Sequence, residues 1–123
     1  MKIINTQAAP KAIGPYSQAI QINNIIYTSG QLGIDPSTGQ FKGDSIEDQT
    51  HQAIQNIAAI LKEANSSLDN VVKTTVFVKE ILDFNKINEI YAQYFINKPA
   101  RSLVEVAKLP KDALIEIEVI ACL

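Results

Sequence analysis

A single cysteine, Cys122, leaves this chain without an internal disulfide, so packing alone has to hold it, and a reducing, cytoplasmic setting is the expectation. One histidine beside that one cysteine makes a His/Cys metal site within one chain unexpected. No apolar run reaches the length of a membrane span, and Met1-Lys2-Ile3-Ile4-Asn5 lacks the long apolar stretch of a signal peptide, so no membrane partner is expected. The formal charge of -2 offers no general attraction for nucleic acid. There is no internal repeat, no low-complexity tract, and no linker rich in glycine, serine or proline. The 123 residues therefore read as one domain, 1–123. Hydrophobic residues at 46% and charged residues at 20% place it among ordinary soluble globular proteins.

What is present falls into a clear order of elements. Ile3-Ile4 allows a short first strand. Ala12-Ile13-Gly14-Pro15-Tyr16-Ser17 reads as a loop, which leaves the Tyr16 hydroxyl either free to meet a partner or packed over the domain edge. Ala19–Ile22 and Ile25–Thr28 flank Asn23-Asn24 as a β-hairpin, because asparagine tolerates the positive φ of a tight turn. Ser29-Gly30 follows at the strand end. It suits a plain terminating turn, and it also permits close approach of the backbone to a ligand. Residues 34–44 are a loop by turn chemistry.

Residues 45–65 form the clearest helix, with Ser45 and Asp48 in capping-box spacing and an apolar stripe of Ala53, Ile54, Ile57, Ala58, Leu61 and Ala64. His51 falls among polar residues and is expected to be solvated. Residues 71–79 are rich in β-branched residues and predict a strand. A second helix is predicted over about 83–96, capped by Asp83 and stapled by Leu82 against Ile87. Asn88 lies one position from its apolar face, where helical spacing does not choose between solvent and a cleft.

Pro99-Ala100-Arg101-Ser102-Leu103-Val104-Glu105-Val106 joins one cation to an alternating strand. Pro99 stops the helix, and Ser102, Val104 and Val106 then oppose Arg101, Leu103 and Glu105. An arginine at the root of a strand is a rigid fork for a carboxylate or phosphate, although on spacing alone a surface arginine in a loop-to-strand turn is the favoured reading. The last strand, Leu114 to Cys122, puts Ile115, Ile117, Val119 and Ala121 on one face and Glu116, Glu118 and Ile120 on the other. Two helices can cover one face of a mixed sheet of five or six strands, in an α+β fold. The other face is expected to carry Leu103, Leu114 and Ile120 beside Arg101 and the glutamates. An uncovered face of that kind predicts a homo-oligomer.

Four stretches together resemble one family: Ile13-Gly14-Pro15-Tyr16, Thr28-Ser29-Gly30-Gln31, Val72–Lys79, and Pro99-Ala100-Arg101-Ser102 with Leu109-Pro110-Lys111-Asp112 and Ile115-Glu116-Ile117-Glu118. The set is similar to the RidA/YjgF family of reactive-intermediate deaminases. The resemblance implies a chorismate-mutase-like fold, a homotrimer with active sites between subunits, and hydrolysis of 2-imino acids such as 2-iminobutanoate and 2-iminopropanoate to 2-oxo acids and ammonia. It implies no cofactor and a functional link to pyridoxal-phosphate-dependent threonine and serine dehydratases. Carried over by position, Arg101 holds the substrate carboxylate and Glu116 positions the attacking water, while Tyr16, Ser29, Gly30 and Asn88 line the pocket. Leu103 stands where many members have cysteine, and residues 95–99 make a shorter approach to the arginine than is usual. A carboxylate-binding regulatory or chaperone-like trimer without deaminase activity is the alternative.

Overall fold

The computed structural model describes all of residues 1–123. Seven strands and two α-helices run in the order β1 (Lys2–Ile4), β2 (Ala19–Ile22), β3 (Ile25–Thr28), β4 (Gln31–Leu32), α1 (Ile46–Glu63), β5 (Val71–Val78), α2 (Phe84–Tyr94), β6 (Ala100–Glu105) and β7 (Ile115–Cys122). The sheet order is β1-β2-β3-β7-β5-β6, with β4 paired to β7. It exceeds the expected five or six strands because Gln31-Leu32, too short to read as a strand, pairs with Ile117 and Glu116. All pairings are antiparallel except β5 with β6, which α2 connects as a crossover.

The pleat of β5 and β7 builds the core. Val76, Val78, Ile115, Ile117 and Ala121 are completely buried beneath the two helices. Helix α1 meets them with Ala53, Ile54, Ile57, Ile60 and Leu61, all fully buried. Ser45 caps α1, its Oγ accepting from the Asp48 amide at 3.0 Å. Asn65, at φ 61°, ends α1 in the left-handed turn that asparagine tolerates.

Helix α2 starts differently from the expectation. The Asp83 side chain makes no capping bond. Leu82 is 91% exposed, so it forms no staple with the buried Ile87. A 3-10 turn over Ile81–Asp83 intervenes and is tied instead by the Ile81 amide donating to Glu105 Oε1 at 3.0 Å. His51 is also not a free solvated side chain, since its Nδ1 lies 2.8 Å from the Tyr94 hydroxyl.

The opposite sheet face has no covering layer. Strand register gives it Ile20, Tyr27, Ile120, Glu118, Glu116, Phe77 and Val104. Leu103 and Leu114 do not lie there as expected, because both pack against the core.

Glycine is required where β4 meets α1. A Cβ on Gly33 would come within 2.6 Å of the Gln49 Cα and carbonyl oxygen, which are helix backbone and cannot swing aside. Gly33→Ala is therefore expected to lower unfolding free energy by about 1–3 kcal/mol, the usual cost of overpacking, as read from urea midpoints. An unchanged midpoint would contradict this packing.

Candidate active site

Glu116 sits on the uncovered face of β7, opposite Leu32 and Phe77. The backbone beside it is Gly30, where a Cβ would fall 2.6 Å from Glu116 Cδ. The glycine thus makes room for the carboxylate of the same chain, a closer constraint than the sequence suggested. Glu116, Gly30 and Tyr16 share a cavity of about 320 Å³ whose rim also carries Lys11, Ile13 and Lys111. Tyr16 is 52% exposed. Ser29 stands next to Gly30, but its Oγ donates to the Ser17 carbonyl at 2.6 Å and so braces the Tyr16 loop from behind.

Burial raises the Glu116 carboxyl above its ordinary pKa, and the like charge of Glu118 on the same strand face raises it further. A carboxyl shifted in this direction takes up a proton more readily than an ordinary one, as suits acid–base work.

Arg101 occupies a different place. It pairs in register with Thr74 on the helix side of the sheet, at the β6 edge. Its Nη1 donates to Asn88 Oδ1 at 2.8 Å. The guanidinium lies over the Tyr91 ring, 4.7 Å from the centroid, with Phe84 at 5.7 Å. Asn88, Tyr91 and Arg101 border a second cavity of about 350 Å³, shared with Phe95, Ile96, Lys98 and Pro99. Leu103, two residues along β6, lies half-buried on the same side.

The predicted residues therefore form two groups: Tyr16, Ser29, Gly30 and Glu116 on one side, Asn88, Arg101 and Leu103 on the other. The two cavities have no lining residue in common. Placing Arg101 and Glu116 on one face, as the alternation had suggested, is corrected by the β5 register. Thr74 aligns with Arg101 and Val119, whereas Phe77 aligns with Glu116 and Val104. Positions 74 and 77 differ by an odd number, so their side chains leave opposite faces.

Several residues that position the site carried no motif. Buried Gln18 donates from Nε2 to the Thr6 and Pro10 carbonyls at 3.0 and 2.8 Å and accepts from the Thr6 amide at 2.7 Å, pinning the segment that leads to Tyr16. Asn56 donates to the carbonyls of Leu32 and Ile34, fixing the end of β4 beside Glu116. Gln49 accepts from the Leu114 amide at the entry to β7. Polar residues on the buried side of α1 break its apolar stripe, and that interruption was the readable signal. Lys111, at φ 56° and ψ 24°, has no such signal, since only tertiary context puts a lysine in the left-handed region.

Comparison with known proteins shows the family and the fold. The family described as Endoribonuclease L-PSP matches residues 6–123. The 2-iminobutanoate/2-iminopropanoate deaminase of Homo sapiens is 51% identical over 121 residues, covering 98% of this chain and 88% of the human one. Reactive Intermediate Deaminase A, chloroplastic, of Arabidopsis thaliana is 50% identical over 123 residues, 99% of this chain and 66% of that one. The crystal structure of E. coli TdcF with bound serine superposes with a TM-score of 0.96 at 42% identity, covering 100% of this chain and 99% of that one.

Glu118→Gln removes the neighbouring negative charge and is expected to lower the Glu116 pKa toward its ordinary range, as followed by carboxyl-carbon NMR titration. An unmoved Glu116 titration would contradict the assigned cause. The stability sign follows from the raised folded-state value: Glu116's own contribution is fully present below its unfolded pKa and is lost as pH rises through the folded one.

Proposed function

The chain belongs to the Endoribonuclease L-PSP family, which includes the reactive-intermediate deaminases, and from that premise we propose that it hydrolyses small 2-imino acids to 2-oxo acids and ammonia. The observation that carries the proposal is the division of labour between two prepared groups: an arginine with no carboxylate partner, and a carboxyl with a raised pKa in a separate cavity. Because they emerge from opposite faces of one sheet, the reacting site brings Arg101 of one subunit against the Glu116 cavity of another. The uncovered face carrying Tyr27, Phe77 and Val104 suits that assembly, and a closed homotrimer with three equivalent sites follows the heterologous pattern. Asn88 and Leu103 would then accompany the arginine, and Tyr16, Ser29 and Gly30 the glutamate.

In this mechanism Arg101 holds the substrate carboxylate through two parallel N–H···O bonds, each worth about 1.5–3 kcal/mol before desolvation. The imine carbon is then held against the Glu116 cavity. The Glu116 carboxylate takes a proton from the attacking water as the C–O bond forms. It returns that proton to nitrogen, giving the carbinolamine. The carboxylate then takes the carbinolamine hydroxyl proton as the C=O bond forms and passes it to nitrogen as the C–N bond breaks, so that ammonia leaves and the 2-oxo acid remains. Positioned proton transfer of this kind contributes about 10²–10⁴-fold, which suffices for imines that already hydrolyse in water. The imines themselves are products of pyridoxal-phosphate-dependent threonine and serine dehydratases.

The bound serine of TdcF favours a second reading, a module that binds small amino or oxo acids without turnover. The raised Glu116 pKa favours the enzyme, because binding a carboxylate needs no second carboxyl. The ribonuclease in the family's description draws little support from a chain with formal charge -2 and one histidine.

The test is to generate 2-iminobutanoate with a dehydratase and trap it competitively with semicarbazide. The protein is expected to suppress semicarbazone formation, Arg101→Ala to abolish nearly all of that suppression, and Glu116→Gln to lower kcat more than it raises KM. No suppression by the wild-type chain would favour the binding module instead.

A further inference from the structure

We infer that one face of α2, made by Phe84, Asn88 and Tyr91, is a prebuilt cradle that aims the Arg101 guanidinium while leaving its charge unspent, and that Tyr91 is its principal positioning residue. The inference rests on the proposed function for what Arg101 holds, but it makes its own claim about how.

The three residues sit at positions i, i+4 and i+7 of α2, one above another on one face. The Tyr91 ring is 4.7 Å from the guanidinium carbon and the Phe84 ring 5.7 Å, while Asn88 between them accepts from Nη1 at 2.8 Å. Tyr91 itself is not free to turn. Its hydroxyl lies 2.7 Å from Thr74 Oγ1, and Thr74 is completely buried in the strand beside Arg101. Its ring also stacks on Phe95 with centroids 4.4 Å apart. The chain thus fixes the ring from the strand side and the helix side, and the ring in turn limits where the guanidinium lies.

The chemistry of the cradle matters as much as its shape. The chain has two ion pairs, Lys42–Asp35 and Lys79–Asp112, and neither involves Arg101. A half-buried arginine serving structure alone is ordinarily paired with a carboxylate. Here the cation is supported by two aromatic faces and one amide oxygen, all neutral. Those groups stabilise a positive charge without cancelling it. One of five guanidinium N–H groups is engaged within the chain, so a bidentate edge stays available to an incoming carboxylate. Ordering the side chain before the ligand arrives removes part of the entropy cost of binding.

The test reads carboxylate affinity apart from turnover. The dissociation constant of 2-oxobutanoate is measured by calorimetry, together with kcat and KM for 2-iminobutanoate, in Tyr91→Leu, Tyr91→Phe and Arg101→Ala. Tyr91→Leu is expected to weaken 2-oxobutanoate binding and raise KM about tenfold, within the range of a desolvated cation–π contact, with kcat within about twofold of wild type. Tyr91→Phe keeps the ring and is expected to stay within about threefold, since it loses only the Thr74 anchor. Added to Arg101→Ala, Tyr91→Leu is expected to cause no further loss of kcat/KM, because it acts through the arginine. Equal losses in both backgrounds, or a folded Tyr91→Leu that binds as wild type, would overturn the inference. Should Tyr91→Leu fail to fold, Phe84→Leu, at a partly exposed ring, is expected to weaken binding about two- to threefold, and no change there would count against the cradle. A wild-type chain that binds 2-oxobutanoate without hydrolysing the imine would sink the proposed enzyme and leave the cradle standing, whereas one that binds no 2-oxobutanoate would overturn both.

Discussion

The period of two along β5 is the constraint on which the rest depends. Val76 and Val78 have to face the helices to close the core, and Thr74 faces them with its hydroxyl at Tyr91. That choice assigns every neighbour. β6 pairs so that Arg101 looks toward α2, and β7 pairs so that Glu116 looks away. A slip of one residue would bury the glutamates and expose the isoleucines, so hydrophobic burial enforces the separation of the two chemical groups. The same force that folds the chain thus puts the arginine and the glutamate on opposite sides of one sheet.

Each half is prepared by a different kind of physics. Glu116 lies against the missing side chain of Gly30, where loss of water and the charge of Glu118 raise its pKa. Arg101 is steadied by rings and an amide, and no anion within the chain neutralises it. In the proposed reaction the glutamate exchanges a proton and the arginine holds the substrate's charge. Around them, Gln18, Gln49 and Asn56 use buried amides to fix loops that have no regular structure of their own, namely the Tyr16 segment, the entry to β7 and the end of β4. Buried amides are costly to leave unpaired, so breaking the bonds that hold these loops carries a penalty.

Much of this architecture was legible in the residues. The hairpin at Asn23-Asn24, the apolar stripe of α1 and the alternation of Ile115–Cys122 each state their element through local periodicity or turn chemistry. The two helices on one face followed by counting. The start of α2 departs from the expectation because Leu82 and Asp83 match a capping pattern, whereas the Glu105 carboxylate, distant in sequence, sets that turn. β4 leaves no signal in the sequence because two residues carry no period. At the site, Arg101 and Glu116 were legible as residue types through resemblance, yet their relation was not. Faces within a strand can be read from alternation, but which face of one strand aligns with which of the next depends on register, a tertiary property. The cradle is half legible in the sequence: Asn88 lies one position off the apolar face of α2, while helical spacing gives Phe84 and Tyr91 no signal beyond packing.

The central claim is that Arg101 and Glu116 act together only across a boundary between subunits. Two variants, Arg101→Ala and Glu116→Gln, each lack one half of the site, and co-refolding them in equal amounts lets an intact arginine meet an intact glutamate. In a closed heterologous ring about one quarter of the mixed sites are complete, so 2-iminobutanoate hydrolysis in the mixture is expected to recover to about one quarter of wild type. The double variant co-refolded with wild type provides the reference for subunit exchange. A mixture whose activity equals the mean of the two separately refolded variants, despite demonstrated exchange, would contradict the account.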